Sequence, residues 1–263
     1  MKTRTLLLAG ITVISSLILS SCEDWGVNCI RGNDHFISEE RITPEFSGVE
    51  VSGSFDVTID TGSETSVYVE ADENLMDYIV TSVRGHKLVI ETEHNKCLKS
   101  HNPISVYVTT PELYDVELNG SGSIDCGELT TSELDADIEG SGVIDLAYVN
   151  ADEVTLNISG SGSIKGVIDV YSLKAEVDGS GDIRIDDGTA HNADLNVNGS
   201  GRIRAENMDI DNCYVEINGS GDVYAFVYDL LDVTISGSGT MYYYGNPAEI
   251  VKKIYGSGRL VKR

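Results

Sequence analysis

Apolar residues recur at every second position through most of the chain, in short runs that break at one tripeptide. In Leu195-Asn-Val-Asn-Gly-Ser-Gly-Arg-Ile-Arg-Ala205 one alternation runs into Gly-Ser-Gly and a second leaves it. The tripeptide starts at Gly120, Gly140, Gly160, Gly179, Gly199, Gly219, Gly237 and Gly256, at intervals of 20, 20, 19, 20, 20, 18 and 19 residues. Two residues before these glycines stand Leu118, Ile138, Ile158, Val177, Val197, Ile217, Ile235 and Ile254. Four after them stand Ile124, Ile144, Ile164, Ile183, Ile203, Val223, Met241 and Leu260. The column four before the glycine is apolar from Val116 to Val233 and then becomes Lys252, which marks the last turn as the end of a stack. Alternation of period two predicts strands with one buried face. A period near twenty residues, held over eight copies, predicts a stacked repeat.

Repeats of this length are too short for helical pairs and too regular for a sandwich. The economical solution is an all-β, right-handed parallel β-helix in which each period is one coil and each column stacks on itself. Gly-Ser-Gly then marks a corner, where glycine takes positive φ and leaves room for the next corner, and the serine hydroxyls are placed to form a ladder. No helix follows any copy, which excludes phosphate-binding glycine loops. Residues 41–263 form the expected β-helix domain, and its N-terminal part is less regular. Val51-Ser-Gly53-Ser is a degenerate first copy of the repeat. A short helix is predicted over 72–79, capped by Asp72. A hairpin turns at Arg84-Gly85, and 92–103 form a loop before Ile104, Val106 and Val108 resume a strand.

The first 21 residues have the form of a lipoprotein signal peptide: a basic start at Lys2 and Arg4, an apolar run from Leu6 to Leu19, and Leu19-Ser-Ser-Cys22, which resembles a bacterial lipobox. Cys22 is then the lipidated first residue of the mature chain, and the polar residues 22–40 are a tether. The expected location is the cell envelope, as an outer-membrane lipoprotein held through the lipid on Cys22. Cleavage leaves 16 bases against 43 acids, a formal charge of −27. Such a chain does not bind nucleic acid through phosphates, and anionic lipid repels it as a whole. Cys126 and Cys213 fall on apolar repeat positions more than four coils apart, roughly 20 Å at strand spacing, too far to bridge. Cys29 and Cys97 are free to pair in an oxidising compartment.

Val51-Ser-Gly-Ser-Phe-Asp-Val-Thr-Ile59, Val69-Glu-Ala-Asp-Glu-Asn-Leu75, Gly85-His-Lys-Leu-Val-Ile90, Val106-Tyr-Val-Thr-Thr-Pro111 and the Gly-Ser-Gly series resemble the DUF2807 family, the "putative autotransporter adhesin, head GIN domain", over about residues 42–245. The resemblance implies a β-helix and an adhesin-like role, and it supplies no catalytic residues. Glu23 and Asp24 after Cys22 are similar to the surface-export signals of Bacteroidetes lipoproteins, which implies exposure on the outer leaflet.

Several clusters compete as sites. Tyr224 and Tyr242 share the outward position five after the glycine, which in earlier coils holds Asp125, Asp145, Lys165, Arg184 and Arg204. Phe226 and Tyr244 follow in the next outward column, with Tyr255 close by in sequence. These tyrosines either offer a glycan or a cell-surface protein a binding platform or cap the stack. The alternative function is a carbohydrate-active enzyme, a polysaccharide lyase or hydrolase. Its acids would come from the column Glu117, Asp137, Asn157, Glu176, Asn196 and Glu216, or from Asp182, Arg202 and Asp222, with Arg202 between two aspartates. No histidine or lysine joins an acidic cluster within the repeats, so a non-enzymatic binding protein is the expected function. Glu93, His94, Cys97 and His101 have ligand-like spacing, but they supply too few sure ligands for a zinc site. No metal or cofactor is expected.

Overall fold

The computed structural model describes residues 29–263. The signal peptide, Cys22 and the remaining residues up to 28 lie outside the described residues. From Gly48 onward the chain winds into a parallel β-solenoid, with seven turns between Gly120 and Gly256. Nine corner glycines align in register: Gly53, Gly120, Gly140, Gly160, Gly179, Gly199, Gly219, Gly237 and Gly256. Both predicted apolar columns stack in the same register, the first beginning at Val51 and the second at Val57. Their members are buried up to Ile235 and Met241, so the core is one continuous apolar column inside the coil. The last coil, Glu249–Gly256 and Arg259–Lys262, pairs with Asp222–Gly237 and Thr240–Gly245. There Lys252 is exposed, as its charge at an inward position demands.

Each corner rests on the one below through the backbone. The Ser161 N–H donates to the Gly140 carbonyl at 2.8 Å, and the same bond recurs from Ser121 to Ser257 at 2.8–3.1 Å. The corner glycines have φ between +118° and +139°. A Cβ on Gly160 would lie 2.4 Å from the Gly140 carbonyl oxygen, so glycine is required by conformation and by space together. The expected hydroxyl ladder is not what joins the corners. Among the described residues only Ser54 with Ser121 (3.4 Å) and Ser238 with Ser257 (3.1 Å) pair through their hydroxyls. The backbone donors already set the spacing, and the hydroxyls are left to solvent.

Before the Gly-Ser-Gly series the chain lays down one more coil without the motif. Lys87–Thr92 pairs parallel with Gly48–Gly53, and Ser105–Thr110 pairs parallel with Asp56–Thr61. Between these two strands residues 93–104 bulge out where a corner would stand. Antiparallel strands then close this end: Ile79–Arg84 on Lys87–Thr92, Ser66–Asp72 on Ser105–Thr110, and Phe36–Glu40 on Ser66–Asp72. The predicted hairpin turns at Gly85, with φ +67°.

Two expectations for this region are corrected. The tether predicted over 22–40 is structured from residue 29 onward. Cys29 and Cys97 form a disulfide, Ile30–Arg31 pairs with Leu98–Lys99, and Phe36–Glu40 is a sheet strand. Its polar side chains hid the strand because an edge strand at the surface needs no apolar alternation. The predicted helix is a single 3₁₀ segment, Glu73–Tyr78, that buries Leu75 and Met76, and Asp72 does not cap it through its side chain. The Asp72 carboxylate instead accepts the Ser100 hydroxyl at 2.6 Å and fastens the bulge. It also packs so close to Gly32 that a Cβ there would lie 1.7 Å from Asp72 Oδ2.

Because the corner has neither space nor conformation for a side chain, Gly160→Val should destabilise the fold by at least ~1–2 kcal/mol. An unchanged melting midpoint would count against the corner geometry.

Candidate functional site

The tyrosines singled out by the sequence divide among three places. Tyr224 lies opposite Tyr242, and their rings stack at 4.6 Å between centroids with 13° between planes. The Arg263 guanidinium lies 5.0 Å from the Tyr242 centroid, and Arg204 is the register neighbour of Tyr224 on the other side. One face of each ring is spent on the other and the second face of Tyr242 on Arg263, so this column offers a ligand mainly hydroxyls, edges and the remaining face of Tyr224. Burial, reinforced by the Asp222 charge, pushes the Tyr224 phenol above its ordinary pKa. The column runs along the side of the stack and continues to Val261, so it does not cap the end. Tyr255 is 64 % exposed on the strand before the corner, beside Ser236, and stacks on none of the others among the described residues. Tyr244 falls elsewhere again, at the end of a column that reads Asn150, Asp169, Thr189, Asp209, Phe226 and Tyr244.

The first four members of that column, Asn150 to Asp209, form one wall of a groove along the solenoid's second bend, and Tyr244 does not line it. The other wall is Asp152, Tyr171, His191 and Asp211, aligned by the pairings on either side of each. Between the walls run the inward positions Ala151, Val170 and Ala190, whose small or short side chains leave a depression of about 660 Å³. Tyr171 is 61 % exposed and tilts against the His191 ring at 4.9 Å. Tyr228, 47 % exposed, closes one end beside Phe226.

The polar atoms of the walls hold one another in place. Asp169 accepts the Tyr148 hydroxyl and the Thr189 hydroxyl, each at 2.9 Å. Asp209 accepts the Tyr228 hydroxyl at 3.1 Å, and His191 meets Asp211 at 2.8 Å, so a histidine does join an acidic cluster within the repeats, against the expectation from sequence. These hydrogen bonds push the Tyr148 and Tyr228 phenols above their ordinary pKa, because each would ionise beside a carboxylate. No lysine or arginine lines the groove. It combines carboxylate acceptors with exposed ring faces, an arrangement suited to a ligand rich in hydroxyl or amino groups.

The other clusters are tied into structural pairs. Asp182 pairs with Arg204, while Arg202 stands off at 3.9 Å and bridges no pair of aspartates. Lys87 holds Asp115 and Glu117 at 2.8 and 2.9 Å. Asp137 is the one carboxylate among the described residues whose pKa is clearly raised. Burial is the main cause, with the charges of Asp135, Asp115 and Glu117 adding to it against the Asn157 hydrogen bond. Cys97 is consumed by its disulfide and His101 meets Asp34 at 3.1 Å, which dissolves the zinc-like spacing. Among the described residues no three His, Cys, Asp or Glu side chains are placed to hold a metal ion. Cys126 and Cys213 are buried and unpaired, and burial pushes the Cys126 thiol up to about 12. They are inert core residues, as their positions predicted.

The protein is thus a parallel β-solenoid with columns of polar and aromatic side chains along its sides. It belongs to the DUF2807 family: the model of the "putative auto-transporter adhesin, head GIN domain" matches residues 45–247. A crystal structure of a "putative lipid binding protein" from Parabacteroides distasonis ATCC 8503 is similar at TM-score 0.84 and 30% identity, over 89% of this chain and 99% of that one. A "putative adhesin" from Parabacteroides merdae ATCC 43184 shares the fold at TM-score 0.83 and 22% identity, over 89% and 98%. A second "putative adhesin" from P. distasonis does so at TM-score 0.82 and 23% identity, over 90% and 100%. No curated protein matches the sequence.

Proposed function

We propose that this is a lipid-anchored, non-catalytic adhesin-type protein of the cell envelope that binds a glycan in the groove of the second bend. The observation that carries the reading is the groove itself. Two exposed tyrosines, Tyr171 and Tyr228, stand beside carboxylates already oriented by neighbouring hydroxyls. A sugar ring presents a C–H face to an aromatic ring and hydroxyl donors to carboxylates, and both partners are in place before binding. Columns at strand spacing repeat these contacts along the axis, which suits a polymer better than a single small molecule. The names of the family and of its solved relatives support an adhesin-like, non-enzymatic role. The enzymatic alternative centres on Asp137, whose carboxyl burial pushes above its ordinary pKa, alone among the carboxylates of the described residues. Anchoring rests on Cys22 and the lipobox-like Leu19-Ser-Ser-Cys22. No helix among the described residues is long and apolar enough to cross a membrane.

Cys22→Ala should move the protein out of the membrane fraction; continued fractionation with membranes would end the anchoring proposal. On a polysaccharide array, Tyr171→Ala with Tyr228→Ala should lower retention about tenfold or more, while the melting midpoint stays put because both rings are exposed. Tyr224→Ala with Tyr242→Ala should do the reverse, lowering the midpoint through lost stacking and leaving retention by the folded fraction intact. Retention that depends on Tyr224 and Tyr242 alone would move the site to that column. Shortening of the polymer during incubation would establish the enzymatic alternative.

A further inference from the structure

In the regular stack every corner serine N–H finds the carbonyl of the corner beneath it. The first corner, Gly53-Ser54, has no such partner. The coil beneath it carries residues 93–104 in place of Gly-Ser-Gly. The bulge does return one acceptor, since the Asp56 N–H donates to Ile104 O at 3.0 Å. The Ser54 N–H has no acceptor among the described residues. Beside this corner lies a cavity of about 860 Å³, lined by Gly53, Ser54 and Phe55, by Thr92 in the coil beneath, and by the bulge.

The lining is cationic in a chain with 43 acids against 18 bases. Arg31, Lys96, Lys99 and His101 line the cavity, and no carboxylate does. Arg31 and Lys99 make no ion pair among the described residues, and Lys96 rests on the Tyr78 ring at 5.3 Å. The Cys29–Cys97 disulfide and the pairing of Ile30–Arg31 with Leu98–Lys99 hold these cations at the rim. The acids nearest the lining are engaged, Asp34 with His101 and Asp72 with Ser100, which leaves Arg31, Lys96 and Lys99 without carboxylate partners at a cost in Coulomb energy.

We propose that this cavity is a binding site for a phosphate-bearing anion. One phosphate oxygen takes the Ser54 N–H in the place that a glycine carbonyl fills in every later corner, and Arg31, Lys96 and Lys99 neutralise the remaining charge. The phosphate belongs either to a membrane lipid headgroup or to a soluble ion. Only seven residue-to-residue steps lead from Cys22 to Cys29, a reach of at most about 25 Å. With Cys22 acylated, the cavity therefore lies close to the membrane surface. The site would locally reverse the repulsion that anionic lipid exerts on the whole chain. It does not depend on the groove of the second bend.

The test uses the full mature chain carrying Cys22→Ala, so that no acyl chain inserts on its own. Inorganic phosphate is titrated calorimetrically, and flotation is measured with phosphatidylcholine vesicles with and without phosphatidylglycerol. Lys96→Gln with Lys99→Gln should weaken binding about tenfold or more. Lys252→Gln with Lys253→Gln, the same change of charge at the far end of the solenoid, should leave binding unaltered, and both doubles should melt with the wild type. Saturable phosphate binding lost in the first double supports a site for the free ion. Flotation only with phosphatidylglycerol, lost in the first double, supports the lipid headgroup. Absence of both in the parent chain, or equal losses in the two doubles, overturns the proposal.

Discussion

The contact on which the molecule depends is a backbone hydrogen bond between successive corners, made at a distance no side chain could share. Each corner serine N–H reaches the glycine carbonyl below at 2.8–3.1 Å, and a Cβ at any glycine from Gly120 to Gly256 in that column would sit 2.2–2.6 Å from the same oxygen. This fixes register once per turn. A slip of one residue would turn every apolar side chain outward, so the corner holds both neighbouring apolar columns in the core. Outward positions are then free to vary without disturbing the register or the core. Glu117, Asp137, Asn157 and Glu176 share one such column, and Arg204, Tyr224, Tyr242 and Val261 share another.

The N-terminal end shows what happens where that contact is missing. With no Gly-Ser-Gly beneath Gly53, the chain substitutes a twelve-residue bulge, pins it with a disulfide and with Ser100 on Asp72, and closes the core with antiparallel strands and one 3₁₀ turn. The closure protects an end that a bare parallel coil would leave open to pairing. It also leaves a hole beside the corner. The two most distinctive surfaces of the molecule, an acidic aromatic groove and a cationic cavity, are thus consequences of the same repeat, kept in one case and interrupted in the other.

The repeat was legible because its motif is covalent sequence: eight copies of Gly-Ser-Gly and two flawless apolar columns. The coil formed by Lys87–Thr92 and Ser105–Thr110 was not, because its corner lacks glycine and runs to twelve residues. The groove was hidden for a related reason. Columns can be counted from the corner only while every coil uses the same number of residues, and the second bend absorbs the variation. Thr189 lies ten residues past Gly179, whereas Phe226 lies seven past Gly219, although both belong to one column. Tyr171 and His191, eleven and twelve residues past their corner glycines, therefore fall in no common column when counted along the sequence. Tyr224 and Tyr242 were placed correctly, but the sequence could not show that their faces are occupied by each other and by Arg263.

Amide hydrogen exchange, resolved residue by residue by NMR, tests the corner ladder most directly. The N–H groups of Ser141, Ser161, Ser180, Ser200 and Ser220 lie at turns on the surface, where ordinary loop amides exchange fast. In this solenoid they are bonded to the coil below, so they should be as protected as the strand amides around them. The Ser54 N–H should exchange freely in the absence of an anion. Fast exchange at Ser161 and Ser200, within otherwise protected strands, would contradict the ladder and the register that rests on it.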